Sequence, residues 1–284
     1  MAGLSGGDGE IRLKKTKPSK NARTARKADK HILYQESVQT PEADASFITR
    51  TFRALRGREA QSLREDFCGT ALFSGQWVKG GRERTAFGID LDSKVQDWGR
   101  EHNLGPLGAA AERVVLFTGD VLHTRTPRVD VNVAFNFSYW VFKTRPLLRD
   151  YFRAVHRHLK KDGLFFLDMH GGTQSMEVLC ERRRKHGFTY VWEHLTFDIV
   201  SHDMRCAISF EFPDGTRQKH AFTYDWRLWS LPEVRELLLE AGFSDVRCYF
   251  EGTKRGTTTG NGIYSLKERC SNDPCWLAYV VAAP

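Results

Sequence analysis

The sequence predicts an α/β fold: a parallel sheet with helices on both faces, followed by an antiparallel β insertion. Apolar strand-like runs alternate with helical patterns between residues 57 and 170. A glycine-centred turn, Glu65-Asp66-Phe67-Cys68-Gly69-Thr70-Ala71, joins the first run to a helix, and the next run, Ala86-Phe87-Gly88-Ile89, ends on Asp90. After His170 the pattern changes to extended segments broken by the turn Pro213-Asp214-Gly215.

Each element follows from local pattern. Residues 31–56 read as helical, with Phe47, Ile48, Phe52 and Leu55 at helical spacing and Gly57 as the stop. Strand one is expected at 62–67, then a helix from Ala71 carrying Leu72, Phe73, Trp77 and Val78. Strand two is expected at 84–90, with a helix through Val95 and Trp98 behind it. Strands three and four are expected at 113–117 and 129–137, the latter interrupted by polar Asn132. A helix near 146–160 carries Leu148, Tyr151, Phe152, Val155 and Leu159, and Gly163 opens strand five at 164–169. Three antiparallel strands follow at 188–200, 205–212 and 216–224. A helix at 231–241, capped by Ser230, leads through Ala241-Gly242-Phe243 to strands at 245–250 and 276–282.

Composition narrows the function classes. The chain has 284 residues and no run of eighteen apolar ones, so no membrane span is expected. No signal-peptide pattern opens it, and the six cysteines lack metal spacing; the reading is a cytoplasmic protein with reduced thiols and no metal. Of the net charge of +8, residues 1–30 supply +6. The remainder is near neutral, so charge does not imply a nucleic-acid face. Residues 1–30 are expected to be a disordered basic tail, open to weak nucleic-acid contact or serving only as a solubilising extension.

Three candidate sites sit at the carboxyl ends of the first three strands, where open parallel sheets bind ligands. They are the turn 65–71, Asp90 with Leu91 beside it, and Gly119-Asp120-Val121. A carboxylate at Asp90 suits two ribose hydroxyls, Leu91 suits the face of a base, and Asp120 suits an exocyclic amine. Singly, an aspartate after a strand reads as a helix cap; the ordered set points to a nucleoside.

At these residues the chain resembles the class I S-adenosylmethionine-dependent methyltransferases, over residues 31–284. The resemblance implies a Rossmann-like seven-stranded sheet with helices on both faces, the last strand inserted antiparallel, and S-adenosyl-L-methionine as cofactor. It implies that Glu65 organises the turn near the cofactor amine. Cys68, Gly69 and Thr70 would line the methionine portion, with Phe67 and Ala71 also assigned to the cofactor. Asp90 would bind the ribose, Leu91 the adenine face, and Gly119, Asp120 and Val121 the adenine edge. The family turn often carries three glycines; here Phe67 and Ala71 replace the outer two, which limits backbone approach. The same change argues against a dinucleotide oxidoreductase, whose pyrophosphate needs the fuller glycine set.

Strand four ends Phe135-Asn136-Phe137-Ser138-Tyr139-Trp140, a run that in this family faces the transferred methyl. Asn136 is assigned to the cofactor, Tyr139 to catalysis and Trp140 to substrate; the aromatics read equally as core. The run lacks an Asn-Pro-Pro-aromatic sequence, which disfavours nucleic-acid and protein acceptors. His170 stands where a general base is useful, and also reads as a loop histidine that only hydrogen-bonds. Tyr34 lies on the N-terminal segment that in related enzymes covers the cofactor. Residues 173–228 are expected to form a lid, with Tyr224 and Arg227 facing substrate; Arg227 reads equally as a structural ion pair. The reading is a methyltransferase acting on a small-molecule N, O or S acceptor. Its alternatives are an RNA or protein methyltransferase docked by the tail and a non-catalytic module that keeps the fold.

Overall fold

A computed structural model describes residues 23–254 and 260–284. Most of the expected tail, residues 1–22, lies outside the described residues. Residues 23–30 are placed, contrary to the expected disorder. Arg23 pairs with Glu36 at 2.6 Å, and Gln218 Nε2 donates to the carbonyls of Ala25 and Ala28.

The helix expected over 31–56 is two helices, α1 (Lys30–Val38) and α2 (Pro41–Arg56). Pro41 excludes helical backbone at the residue before it and starts a new helix at its own N1 position. Gly57, at φ +69°, ends α2. The chain then alternates: β1 (Ser62–Asp66), α3 (Leu72–Lys79), β2 (Thr85–Asp90), α4 (Ser93–Gly99), β3 (Val114–Thr118), β4 (Val129–Ala134), α5 (Arg145–His158) and β5 (Leu159–Gly171). An insertion of β6 (Leu179–Lys185), β7 (Phe188–Phe197), β8 (Asp203–Glu211) and β9 (Arg217–Arg227) follows. The chain closes with α6 (Leu231–Glu240), β10 (Asp245–Thr253), β11 (Gly260–Leu266) and β12 (Trp276–Ala283).

The main sheet has the order β11-β10-β12-β5-β4-β1-β2-β3. Strands β1 to β5 are mutually parallel, and β12 runs antiparallel between β5 and β10. That is the expected sheet with one addition: eight strands, not seven, because β11 folds back antiparallel onto the edge of β10. The insertion likewise has four strands rather than three. The extra one, β6, reads Leu-Cys-Glu-Arg-Arg-Arg-Lys and is largely exposed. It lacks an apolar alternation, and its charges suit an edge that must not pair with another chain.

Two cores flank the sheet. Leu63, Val131, Val133, Phe166 and Val281 meet Phe47, Ile48 and Phe52 of α2 and Trp77 of α3. On the other face, Val129, Phe165, Leu167 and Met169 meet α5 and α6 through Tyr151, Phe152, Val155, Leu237 and Leu238. Alternation along β1 therefore sends Glu65 to the α2 side and Arg64 and Asp66 to the α5 side.

Arg64 and Asp66 form an ion pair at 2.7 Å, each 1% exposed. Arg64 also donates to the carbonyls of Val121 and Thr124, and Tyr151 donates to the second oxygen of Asp66. The loop after β3 is thus tied to β1. Replacing Arg64 with Met leaves Asp66 charged and unpaired in the core, so Arg64→Met is expected to destabilise the fold by about 3–5 kcal/mol. Urea unfolding checks this; a change under about 1 kcal/mol would show that the pair is not what holds the loop.

Candidate functional site

The site is built at the carboxyl ends of β1, β2 and β3. After Asp66 the chain alternates into left-handed backbone: Phe67 at φ +58°, Gly69 at φ +50° and Ala71 at φ +53°. Two of these three left-handed positions carry side chains. Phe67 and Ala71 adopt the conformation glycine takes freely, at a cost of order 1–2 kcal/mol each. Packing holds them there. Ala71 is fully buried, and the Phe67 ring lies 5.7 Å from Tyr151 and 6.0 Å from Phe142.

Hydrogen bonds fasten the turn from three sides. The Gly69 N–H donates to Asp90 Oδ2 at 2.8 Å, and the Cys68 N–H to the Ile89 carbonyl at 2.9 Å. Gln35 of α1 donates to Thr70 Oγ1, and Asn103 to the Thr70 carbonyl. Glu65 Oε2 accepts from the Ser74 N–H at 2.9 Å and from its hydroxyl, fixing the first turn of α3. A Cβ on Gly99 would stand 2.3 Å from the Thr70 carbonyl oxygen, so only glycine lets α4 press so closely on the turn.

The second and third sites fall beside the first. Asp90 Oδ1 accepts from the Asp92 N–H, so each carboxylate oxygen keeps a lone pair free. Leu91 is 74% exposed, an apolar surface open to a flat ligand. The Gly119 N–H donates to the Asp90 carbonyl, which sets β3's end against β2's. Asp120 Oδ1 accepts from the Leu122 N–H and its other oxygen has no donor among the described residues, while Val121 is buried beneath.

At the end of β4, Asn136 and Phe137 are also left-handed, at φ +57° and +56°. Both donate their N–H groups to Asp168 of β5, at 2.9 and 3.0 Å. Tyr139 and Trp140 are fully buried, and the Tyr139 hydroxyl and Trp140 indole N–H lie near one another without a well-aligned hydrogen bond. The His170 ring lies 4.7 Å from Phe137 and 4.8 Å from Trp140, and its Nε2 has no partner. The insertion roofs this region. Trp226 crosses Trp140 at 5.8 Å, Tyr224 packs on Trp226 at 4.3 Å, and Tyr34 of α1 reaches the Tyr224 hydroxyl. Arg227 is bound to Glu233 at 3.0 Å and lies 3.8 Å over the Trp229 ring. Its charge is thus paired with Glu233 inside the protein.

Sequence reasoning missed four residues of this region: Gln35, Asp44, Asp168 and Tyr279. For Asp168 a signal existed, a lone acid inside the apolar strand Leu-Phe-Phe-Leu-Asp-Met-His. Asp44 sits on the outward turn of a helix pattern, and nothing local marks it. It accepts a hydrogen bond from the Tyr279 hydroxyl, and Tyr279 is the cross-strand partner of Asp168.

No protein-family model matches the chain, and no curated protein matches it. Solved structures do. An S-adenosylmethionine-dependent methyltransferase from Clostridium acetobutylicum aligns over 89% of this chain and 98% of its own, at 15% identity and a TM-score of 0.65. The S-adenosylmethionine-bound amino pentose methyltransferase CalS10 from Micromonospora echinaspora aligns over 88% and 95%, at 16% identity and a TM-score of 0.62. The sugar N-methyltransferase KedS8 from a Streptoalloteichus species aligns over 97% and 100%, at 17% identity and a TM-score of 0.59. What is shared at these identities is the fold: the chain has the class I S-adenosylmethionine-dependent methyltransferase fold.

Burial governs titration here. It raises Glu65 to about 8, Asp168 to about 7 and Asp44 to about 6, and it lowers His170 to about 3. A carboxyl raised on folding binds a proton that the unfolded chain has released. Its stabilisation is present below the unfolded value and lost as pH rises through the folded one. His170, depressed, acts only below its ordinary range. The ligand-free protein is therefore expected to lose stability between pH 6.5 and 8, chiefly through Glu65 and Asp168. Calorimetric melting across that interval checks it; a flat or rising profile would mean that these carboxyls are not held protonated.

Proposed function

We propose that the chain is a methyltransferase that uses S-adenosyl-L-methionine to methylate an N, O or S atom of a small molecule. The observation that carries this is the Asp90 latch: one carboxylate closes the left-handed turn through Gly69 and still keeps lone pairs free, next in sequence to an exposed Leu91. A nucleoside needs that combination of a ribose acceptor, an apolar shelf and a backbone turn that does not obstruct it.

The residues present fit the cofactor. Asp90 would take the ribose hydroxyls, Leu91 the purine face, and the free oxygen of Asp120 the exocyclic amine. Glu65, Cys68, Gly69 and Thr70 would line the methionine end, with Tyr34 and Asn136 closing over it. When bound, the group supplies an electrophilic methyl on a sulfonium. The chain's own work is to orient the acceptor and exclude water. The roof of Tyr224, Trp226 and Trp192 performs the exclusion, and Lys143 latches it by pairing with Asp203 and Asp225. His170, neutral through burial and with a free Nε2, can accept a hydrogen bond from an acceptor seated against Phe137 and Trp140. The closed roof supports a compact substrate. The similar structures include an amino pentose methyltransferase and a sugar N-methyltransferase.

Asp90→Ala removes the ribose acceptor and the latch together. S-adenosylhomocysteine affinity, read by titration calorimetry, is expected to fall by about 1.5–3 kcal/mol, as for hydrogen bonds to a charged group. Wild-type protein that binds no S-adenosylhomocysteine, or an Asp90→Ala variant that binds it as tightly, would overturn the reading.

A further inference from the structure

A cleft of about 210 Å3 opens between α6, β10 and the segment that follows β11. Strands β12, β5, β4 and β1 separate β10 from β2 and the Asp90 turn. The floor of the cleft is apolar. Cys248 and Phe250 of β10 belong to the core on the α6 face, the Phe250 ring meets Trp276 at 5.5 Å, and Leu231 of α6 is part of the lining. The rim is charged: Arg235 comes from α6, and Lys267, Glu268 and Arg269 come from the segment. Small-molecule sites combine an apolar floor with a few convergent polar groups.

The rim is fastened at both ends. The Lys267 N–H donates to the Cys248 carbonyl at 2.9 Å, which ties the start of the segment to β10. Further along, the Gln174 N–H donates to the Pro274 carbonyl at 3.0 Å, and the Trp276 ring covers Gly171 so closely that a Cβ there would stand 2.2 Å from it. Arg235 lies close to the same floor: burial pushes the Cys248 thiol up, and the Arg235 charge acts against that push. Among the described residues, Arg235, Lys267 and Arg269 form no ion pair, whereas two acids of α6 are taken, Glu233 by Arg227 and Glu240 by Arg145 and Arg149. Three cations against one acid leave the lining positive. Cations brought together repel, and an anion seated among them relieves the repulsion.

We propose that this cleft binds a small aromatic phosphate monoester, with its head among Arg235, Lys267 and Arg269 and its ring on Phe250 and Trp276. The excess of cations suits a dianion better than a single carboxylate, and arginine forks match phosphate oxygens. The Phe250 and Trp276 rings offer the ester's ring an aromatic contact that inorganic phosphate cannot use. The volume lies below the roughly 300–1,000 Å3 of drug-sized sites, so the ligand is compact. The site is separate from the methyltransferase reading and does not need it, since neither Asp90, Asp120 nor the turn 65–71 lines the cleft.

The test is titration calorimetry of the full chain without S-adenosylhomocysteine, at pH 8 and constant ionic strength, where a phosphate monoester with its second pKa of about 6 is a dianion. The probes are phenyl phosphate, benzoate, phenol and inorganic phosphate. Phenyl phosphate is expected to bind saturably, one per chain, and about tenfold or more tightly than each of the other three. Arg235→Gln and Lys267→Gln are each expected to weaken it about fivefold or more. Both residues are exposed, so neither change threatens the fold. Arg184→Gln, on the exposed edge strand β6, is the control for diffuse attraction to a basic chain and should leave the affinity within about twofold. Absence of saturable binding, equal affinity for phenyl phosphate and any of the other probes, an affinity untouched by both cleft variants, or an equal loss in Arg184→Gln would overturn the proposal. Failure to bind S-adenosylhomocysteine would overturn the methyltransferase reading alone.

Discussion

The bond from the Gly69 N–H to the Asp90 carboxylate is the constraint on which the rest of the site depends. It joins the turn after β1 to the end of β2, two strands already paired in parallel. Three residues in left-handed backbone would otherwise relax, since two of them carry side chains that disfavour it. With the turn held, α3 starts where Glu65 can cap Ser74, Gly99 can approach the Thr70 carbonyl, and α1 can reach Thr70 through Gln35. A strained segment persists because its surroundings over-determine it.

A second constraint is electrostatic. The carboxyl rim of the sheet gathers Asp44, Glu65 and Asp168 on one side, while the other buried acid of β1, Asp66, has its own arginine. Alternation along β1 produces this separation: Arg64 and Asp66 face α5 and neutralise one another, and Glu65 faces α2 and is left to be matched otherwise. The two sides of one strand thus carry their acids differently: one pairs Asp66 with an arginine, and the other ties Glu65 to Ser74.

The inserted sheet is held to this rim by charge and by aromatic contact. Lys143 between Asp203 and Asp225, Arg227 with Glu233, and Trp226 against Trp140 place β8 and β9 over the end of β4. Such surface ion pairs contribute about 0–1 kcal/mol each. They set position more than stability.

Much of this was legible in the residues. Strand–helix alternation specified the parallel sheet, because a strand covered on both faces must be apolar and short. The acids at 65, 90 and 120 marked its carboxyl rim, because polar groups at strand ends have no other reason to recur there. What local pattern could not specify were features whose cause lies in distant contacts. Strands β6 and β11 carry no apolar alternation and exist because a neighbouring edge offers hydrogen bonds. Phe67 and Ala71 hold a glycine's conformation because Tyr151, Phe142 and Asp90 surround the turn. Asp44 joins Asp168 because Tyr279, some 110 residues further along from Asp168, lies between them in register. Periodicity and charge act along the chain and are readable there; strain tolerance, edge pairing and charge clustering arise only once the chain closes on itself.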